Sequence, residues 1–323
     1  MPKPSSRGGW PLALLGPTPI ARRLREDFLR ATHPQTRTLI IAAPGMDGTA
    51  VARAIHQADP SAPLVEIDCA ADDPALVERQ LLGRGGKANG ALEQVDATAA
   101  LVVARHGTCI LRSVEELSHR AQARLARALR DGEVRVRAAG HMPVACRVIA
   151  IGNSTVDADE NGGHLRADLR RRLGSIRLEL PSLGARREDI PVIVVALMAR
   201  SSAERRIPPR RFTHAAMALI TALQWPDNVS GLSVFVESLV DRSSQPVRVE
   251  EVLAYLGAPA QGSIVPQGSL REARRQFERD YIAAVLRRFD GRVAAAARAL
   301  GIQRTNLYRK ARQLGISSAG RVT

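Results

Sequence analysis

The apolar positions of this chain change period along its length, and each period predicts a different kind of structure. Five short runs, TLIIAA (38–43), PLVEID (63–68), GTCILR (107–112), CRVIAIG (146–152) and SIRLEL (175–180), read as strands. The stretches between them are helical in spacing. Asp73 before Pro74 starts a helix that runs to Leu82, and Val114–Arg130 reads as another, with Ser113 and Glu116 set as a capping box. Strands alternating with helices predict a mainly parallel α/β sheet. Residues 181–256 read as helices around a turn at WPDN (225–228). The Gly-, Pro- and Ser-rich segment 257–268 reads as a linker. Beyond it, Ser269 and Glu272 form a second capping box. Leu270, Ala273, Phe277, Tyr281, Ala284, Val285 and Phe289 then recur at helical spacing until Asp290-Gly291 ends the helix. A helix so amphipathic beside so small a following unit needs a partner surface, and a second copy of itself is the simplest one. Leu270, Phe277, Tyr281, Val285 and Phe289 are the candidate dimer contacts.

The last segment reads as two short helices joined by a tight turn. Val293–Leu300 is rich in small residues, Gly301 permits the turn, Ile302 plugs the core, and Gln303–Leu314 forms the second helix. Leu307, Ala311 and Leu314 share one face (i, i+4, i+7) and are expected to pack inward. Ala296 and Ala297 are small where the two helices must cross. This is the pattern of a helix-turn-helix, whose second helix enters the major groove of DNA. Arg304 and Asn306 are candidates for base contact, since arginine reads guanine and asparagine reads adenine. Thr305, Tyr308, Arg309 and Lys310 are candidates for phosphate contact.

Charge supports a polyanionic partner. The 323 residues carry a formal net charge of +15, almost all of it from arginine, because Lys3, Lys87 and Lys310 are the only lysines. From Gly268 to Thr323 there are thirteen Lys and Arg against four Asp and Glu, so a sixth of the chain holds more than half of the excess. No apolar run approaches the roughly 18 residues of a membrane-spanning helix, and the N-terminus lacks the pattern of a signal peptide. Cys69, Cys109 and Cys146 have no metal-ligand spacing and read as buried thiols. No metal or cofactor is expected.

The tail GIQRTNLYRKARQLGI resembles the Fis-type DNA-binding domain of sigma-54-dependent activators, close to that family's G-I-x-R-T-x-L-Y-R-K pattern. Gln303 departs from it, standing where a Ser or Asn cap is usual. The rest of the chain is similar to the AAA+ ATPase core of the same activators. VARAIH (51–56), the run DCAADDPALVERQLLG (68–83), GEVR (132–135), RVIAIGN (147–153), RREDIP (186–191) and the WPDNV turn (225–229) stand in the family's order. The resemblance implies a wedge-shaped α/β subdomain followed by a helical lid.

The chemistry implied by that resemblance does not carry over. A phosphate-binding loop needs a lysine that reaches the β- and γ-phosphates. In AAPGMDGTAV (42–51), Ala42 and Ala43 stand for Gly-Glu, Gly48 stands at the lysine position, and Asp47 adds negative charge. The magnesium-binding Asp and water-activating Glu correspond to Arg112 and Ser113, while Glu115 and Glu116 are expected on the following helix. Ser230 replaces a sensor arginine, and the sigma-54-gripping string GAFTGA is missing between Gly83 and Leu101. Asn153 matches the first sensor position. Arg166 and Arg172 match the arginines that the family offers to a neighbouring subunit's nucleotide.

These readings give an α/β AAA+-like core (14–180) after a short tail (1–13), a helical lid (181–256), a linker (257–268) and an all-α helix-turn-helix domain (269–323), with no preceding sensory domain. The expected function is a bacterial, cytoplasmic and nucleoid-associated transcription regulator. It would bind double-stranded DNA as a dimer or higher oligomer, with no ATP hydrolysis and no sigma-54 remodelling. RNA polymerase or another regulator is a candidate protein partner of the core. The alternatives are a modulator that joins an intact activator's ring through Arg166 and Arg172, an ATPase with displaced catalytic groups, and a nucleoid-organising protein.

Overall fold

The computed structural model describes residues 10–34, 36–70, 73–84, 92–136, 139–157, 165–240 and 245–256, then Ile282, Leu286, Val293, Ala297 and residues 304–314. The chain divides into two units, Met1–Gly257 and Ala258–Thr323. In the first unit all five expected strands form: β1 (Thr38–Ala42), β2 (Leu64–Asp68), β4 (Thr108–Arg112), β7 (Arg147–Gly152) and β8 (Ile176–Leu180). They lie in the order β2-β4-β7-β1-β8, and every neighbouring pair is parallel. A parallel sheet is covered on both faces, which is why these strands are continuous apolar runs and not alternating ones.

The strand period of two sorts the side chains between the two faces. Ile40, Ile110, Ile149 and Leu178 enter one core, with α1 (Pro19–Ala31), α2 (Gly48–His56) and the helices after residue 189. Leu39, Ile41, Leu111, Val148 and Ala150 enter the other, with α3 (Pro74–Leu82), α5 (His119–Asp131) and α6 (Ala167–Leu173). A one-turn helix α4 (Ala100–Val103) also packs there. The first core runs without a break into α7 (Ile190–Glu204), α8 (His214–Ala222), α9 (Asn228–Val240) and α10 (Val249–Tyr255), so the helical part shares its interior with the sheet.

Two sequence expectations are corrected. The capping box at Ser113 does not form. Ser113 has a left-handed backbone (φ 52°) and makes no cap bond, and residues Val114–Glu116 form a 3-10 turn. The helix starts five residues later than expected, at His119, where Ser118 accepts from the Ala121 N–H, and the buried Leu117 lies between turn and helix. A second, small sheet was also not anticipated: β3 (Gln94–Val95), β5 (Glu133–Val136) and β6 (Gly140–Pro143), with β5 and β6 antiparallel. Arg124 of α5 holds β3 in place through Glu93 and Glu78 and through the carbonyls of Gly83 and Gln94.

One buried ion pair ties the start of the chain to the start of the helical part. Arg186, 1 % exposed, donates to Asp189 at 2.7 Å and to the carbonyls of Ala13 and Leu15. Asp189 also accepts from the Thr18 amide (3.0 Å) and hydroxyl (2.7 Å), while Thr18 itself caps α1. Gly16 (φ 131°) lets the chain pass, since a Cβ there would lie 1.9 Å from the Asp189 carboxylate. Removing one partner would strand the other charge in the core, so Asp189→Ala should cost about 3–5 kcal/mol in urea unfolding. A loss below about 1 kcal/mol would show that the network does not anchor the fold.

Candidate functional site: the cleft at the strand ends and the basic C-terminal helix

The loop between β1 and α2 is where the resemblance puts a bound phosphate, and several of its polar groups are already engaged. The amides of Ala43, Met46 and Gly48 donate to the carbonyls of Leu180, Ala43 and Met46 at 2.8–3.0 Å. Asp47 caps α2 by accepting from the Ala50 N–H at 2.8 Å. A carboxylate therefore sits on the helix N-terminus that would otherwise attract an anion. Gly48 packs against the sheet, with a Cβ there only 2.9 Å from the Ile151 side chain.

From the other side, the turn at 225–228 closes onto this loop. The Asn228 side chain donates to the Pro44 carbonyl (2.7 Å) and accepts from the Leu183 N–H (2.7 Å), and it is 4 % exposed. Its backbone is left-handed (φ 48°), a conformation asparagine tolerates better than most residues. Ser230 donates to the Gly45 carbonyl from its amide (3.0 Å) and its hydroxyl (3.1 Å). Gly45 is needed at φ 72°, where any Cβ would meet the Asp227 carbonyl at 2.0 Å. Trp225 anchors the turn through its indole N–H to the Ile220 carbonyl.

At the ends of β4 and β7, Arg112 pairs with Asp68 at 2.7 Å, and its Nε is buried without a partner. Ser113 points into no cap. Glu115, expected on the following helix, instead lies in the 3-10 turn. It is 6 % exposed, with Oε1 accepting from the Asn153 N–H (3.3 Å) and Oε2 unpartnered against Gly152. Asn153 uses its own side chain to accept from the Thr155 N–H. Sequence reasoning missed the burial of Glu115 because its contacts lie 38 residues away.

Arg166 makes two bonds to Asp168 (3.1 and 3.0 Å), and these hold the Asp168 carboxyl below its usual range. Arg172 lies beside Arg37, lining a depression that Asp168 also lines. The three cysteines are buried and free. Burial pushes Cys69 up to about 12 and Cys146 up to about 11, and raises Cys109 as well, which makes them poor nucleophiles. Among the described residues no group of three His, Cys, Asp or Glu is placed to hold a metal, and no helix is long and apolar enough to cross a membrane.

In the second unit, α11 (Arg304–Gln313) carries the basic segment. Leu307 and Leu314 are buried with Ile282, Leu286 and Ala297, and Ala311 and Val293 pack against them. The inward face expected from spacing is thus present. Ile282 and Leu286 were missed, although their own i, i+4 spacing marks a face between the candidate dimer positions. Asn306, Tyr308 (64 % exposed) and Arg309 face outward, Lys310 is half-buried, and Arg309 donates to the Asn306 side chain at 3.3 Å. Arg304 and Thr305 lie in the first turn of the helix. Leu270, Phe277, Tyr281, Val285 and Phe289, the second capping box, and the 257–268 linker lie outside the described residues, as do Lys87 and its neighbours 85–91.

Three family models match this chain in succession. The Sigma-54 interaction domain covers residues 14–179, the AAA+ ATPase lid domain 185–263, and the bacterial regulatory protein Fis family 273–314. The chain belongs to the sigma-54-type family of DNA-binding transcription regulators. It is 30 % identical to the nitrogen assimilation regulatory protein NtrX of Azorhizobium caulinodans, over 95 % of this chain and 70 % of that one. It is 32 % identical to the transcriptional regulatory protein ZraR of Escherichia coli, over 92 % of this chain and 68 % of that one. Among solved structures, NtrX from Brucella abortus in complex with ADP superposes with a TM-score of 0.61 at 29 % identity, covering 95 % and 70 % of the two chains. A Thermotoga maritima RuvB mutant, at 14 % identity and TM-score 0.54, shares the AAA+ fold.

Within this family fold, Asn228 and Ser230 join the lid to the loop, and Asn228 is the buried one of the two. Asn228→Ala would leave the Pro44 carbonyl and the Leu183 N–H without partners, at a cost of about 1–3 kcal/mol. Thermal unfolding should register that loss, and an unchanged midpoint would remove the clamp from the account.

Proposed function

We propose that this regulator binds DNA without ATP hydrolysis and without sigma-54 remodelling, its AAA+-like core serving as a scaffold for oligomerisation and protein contact. The observation that carries the reading is the Asp47 carboxylate on the N-terminus of α2, beside Gly48 and beneath the Asn228–Ser230 clamp. Phosphoryl transfer depends on positioned positive charge and a metal shell. Here a negative group occupies the anion position, and Arg112 is tied to Asp68 where the resemblance calls for a magnesium ligand. The absence of GAFTGA from the sequence supports the second half of the reading.

DNA recognition rests on α11. Arg304 and Asn306 are proposed to read bases, and Thr305, Tyr308, Arg309 and Lys310 to hold phosphates; the exposure of Asn306, Tyr308 and Arg309 supports these roles. The Arg309–Asn306 bond would have to open when both groups meet DNA. Dimerisation is proposed to run through Leu270, Phe277, Tyr281, Val285 and Phe289.

Arg309→Ala should weaken binding evenly across sequences and lower the salt slope by about 1. Arg304→Ala should lose about 1–3 kcal/mol of discrimination at one base pair. Wild-type affinity and salt dependence in both variants would remove α11 from the interface. Adding ATP and magnesium should leave DNA affinity unchanged and release no phosphate above background. Turnover stimulated by DNA would overturn the non-enzymatic reading.

A further inference from the structure

The sheet has a second charged site at the ends of its strands opposite the cleft. Arg37 immediately precedes β1, and Ser175 immediately precedes β8. Together with Arg171 and Arg172 from the end of α6, and with Asp168, they line an open depression of about 470 Å³. Arginine is abundant in this chain, but on this face it is mostly matched. Arg166 pairs with Asp168, Arg130 with Asp131, and Arg170 and Arg177 with Asp157. Both carboxylates nearest the depression, Asp168 and Asp131, therefore already have arginine partners of their own. Arg37, Arg171 and Arg172 have no hydrogen bond or ion pair from their side chains among the described residues.

Helix-end preference would explain arginines in the last turn of α6, where cations favour the helix dipole. It does not explain Arg37, which comes from a different segment and is drawn in beside them. Arg37 is half-buried, and burial together with the neighbouring Arg172 pushes its guanidinium below the usual range. Two guanidinium groups held together lose solvation and repel each other, and the one carboxylate lining the depression, Asp168, is already bonded to Arg166. An anion between them relieves both costs.

We propose that Arg37, Arg171 and Arg172, with the Ser175 hydroxyl, form a phosphate-binding site on the core for the same duplex DNA that the C-terminal unit binds. The inference rests on the DNA-binding reading and extends it to a second, sequence-independent contact. Planar guanidinium forks match phosphate oxygens, and an open depression admits a polymer backbone. Tethering through 257–268 raises the effective concentration of DNA at the core, so that a weak contact adds to total affinity.

The test is the salt dependence of binding by the full-length chain to a mixed-sequence duplex, followed by fluorescence anisotropy between about 50 and 200 mM salt. The triple variant Arg37→Gln/Arg171→Gln/Arg172→Gln should lower the slope of log K against log salt by about 2 to 3, given about 0.9 per lost phosphate contact. Arg171 is exposed, so Arg171→Glu leaves the packing untouched. It should weaken binding at low salt even if the triple variant fails to fold. If the wild-type chain binds and both variants keep its affinity and slope, the site on the core is overturned, and the three arginines face an acidic protein surface instead. If the wild-type chain binds no duplex at all, the DNA-binding reading falls and this site falls with it.

Discussion

The core is organised around one asparagine. Through its side chain Asn228 reaches the loop after β1 and the segment after β8 at once, and through its left-handed backbone it sets the start of α9. Ser230 adds two bonds to Gly45, and the close approach of Asp227 to Gly45 fills what space remains. Lid and sheet are therefore joined by direct side-chain and main-chain hydrogen bonds. The buried Arg186–Asp189 pair performs a related task at the other end of the lid, fixing the segment from Ala13 to Thr18. Both junctions lie in one hydrophobic core, so neither can open without exposing apolar surface.

How much was legible in the sequence depended on how local the cause was. The five central strands were read because parallel strands buried on both faces leave uninterrupted apolar runs. The inward face of α11 was read because helical spacing is a local property. Ser113 misled for the opposite reason: a Ser-x-x-Glu pattern is local, but Val114, Glu115 and Leu117 are all buried by distant parts of the chain, and the residues after Ser113 form a 3-10 turn before the helix begins. The small sheet was not read because β3 has two residues and β6 reads GHMP, with no apolar period to detect. Glu115 and Asn228 acquire their roles from partners 38 and 184 residues away, and no spacing rule reaches that far.

Positive charge is divided between two kinds of use. Most arginines on the α/β part neutralise nearby carboxylates, and Arg124 and Arg210 also satisfy main-chain carbonyls. On α11 the described arginine side chain, Arg309, stands outward and bonds Asn306 rather than a carboxylate, as expected for a surface that meets phosphate. Under the proposed reading, a fold shared with ATPases has kept its sheet, lid and lid contacts while its charges serve structure and DNA.

Under the proposed reading, the Asp47 carboxylate stands where a nucleotide phosphate would bind. Calorimetric titration of ATP with magnesium into the full-length chain tests this most directly, because a phosphate at the N-terminus of α2 would have to displace the Asp47 carboxylate. The expected result is heat no larger than dilution. A saturable isotherm with one site per chain, abolished by a bulky substitution at Gly45, would contradict it.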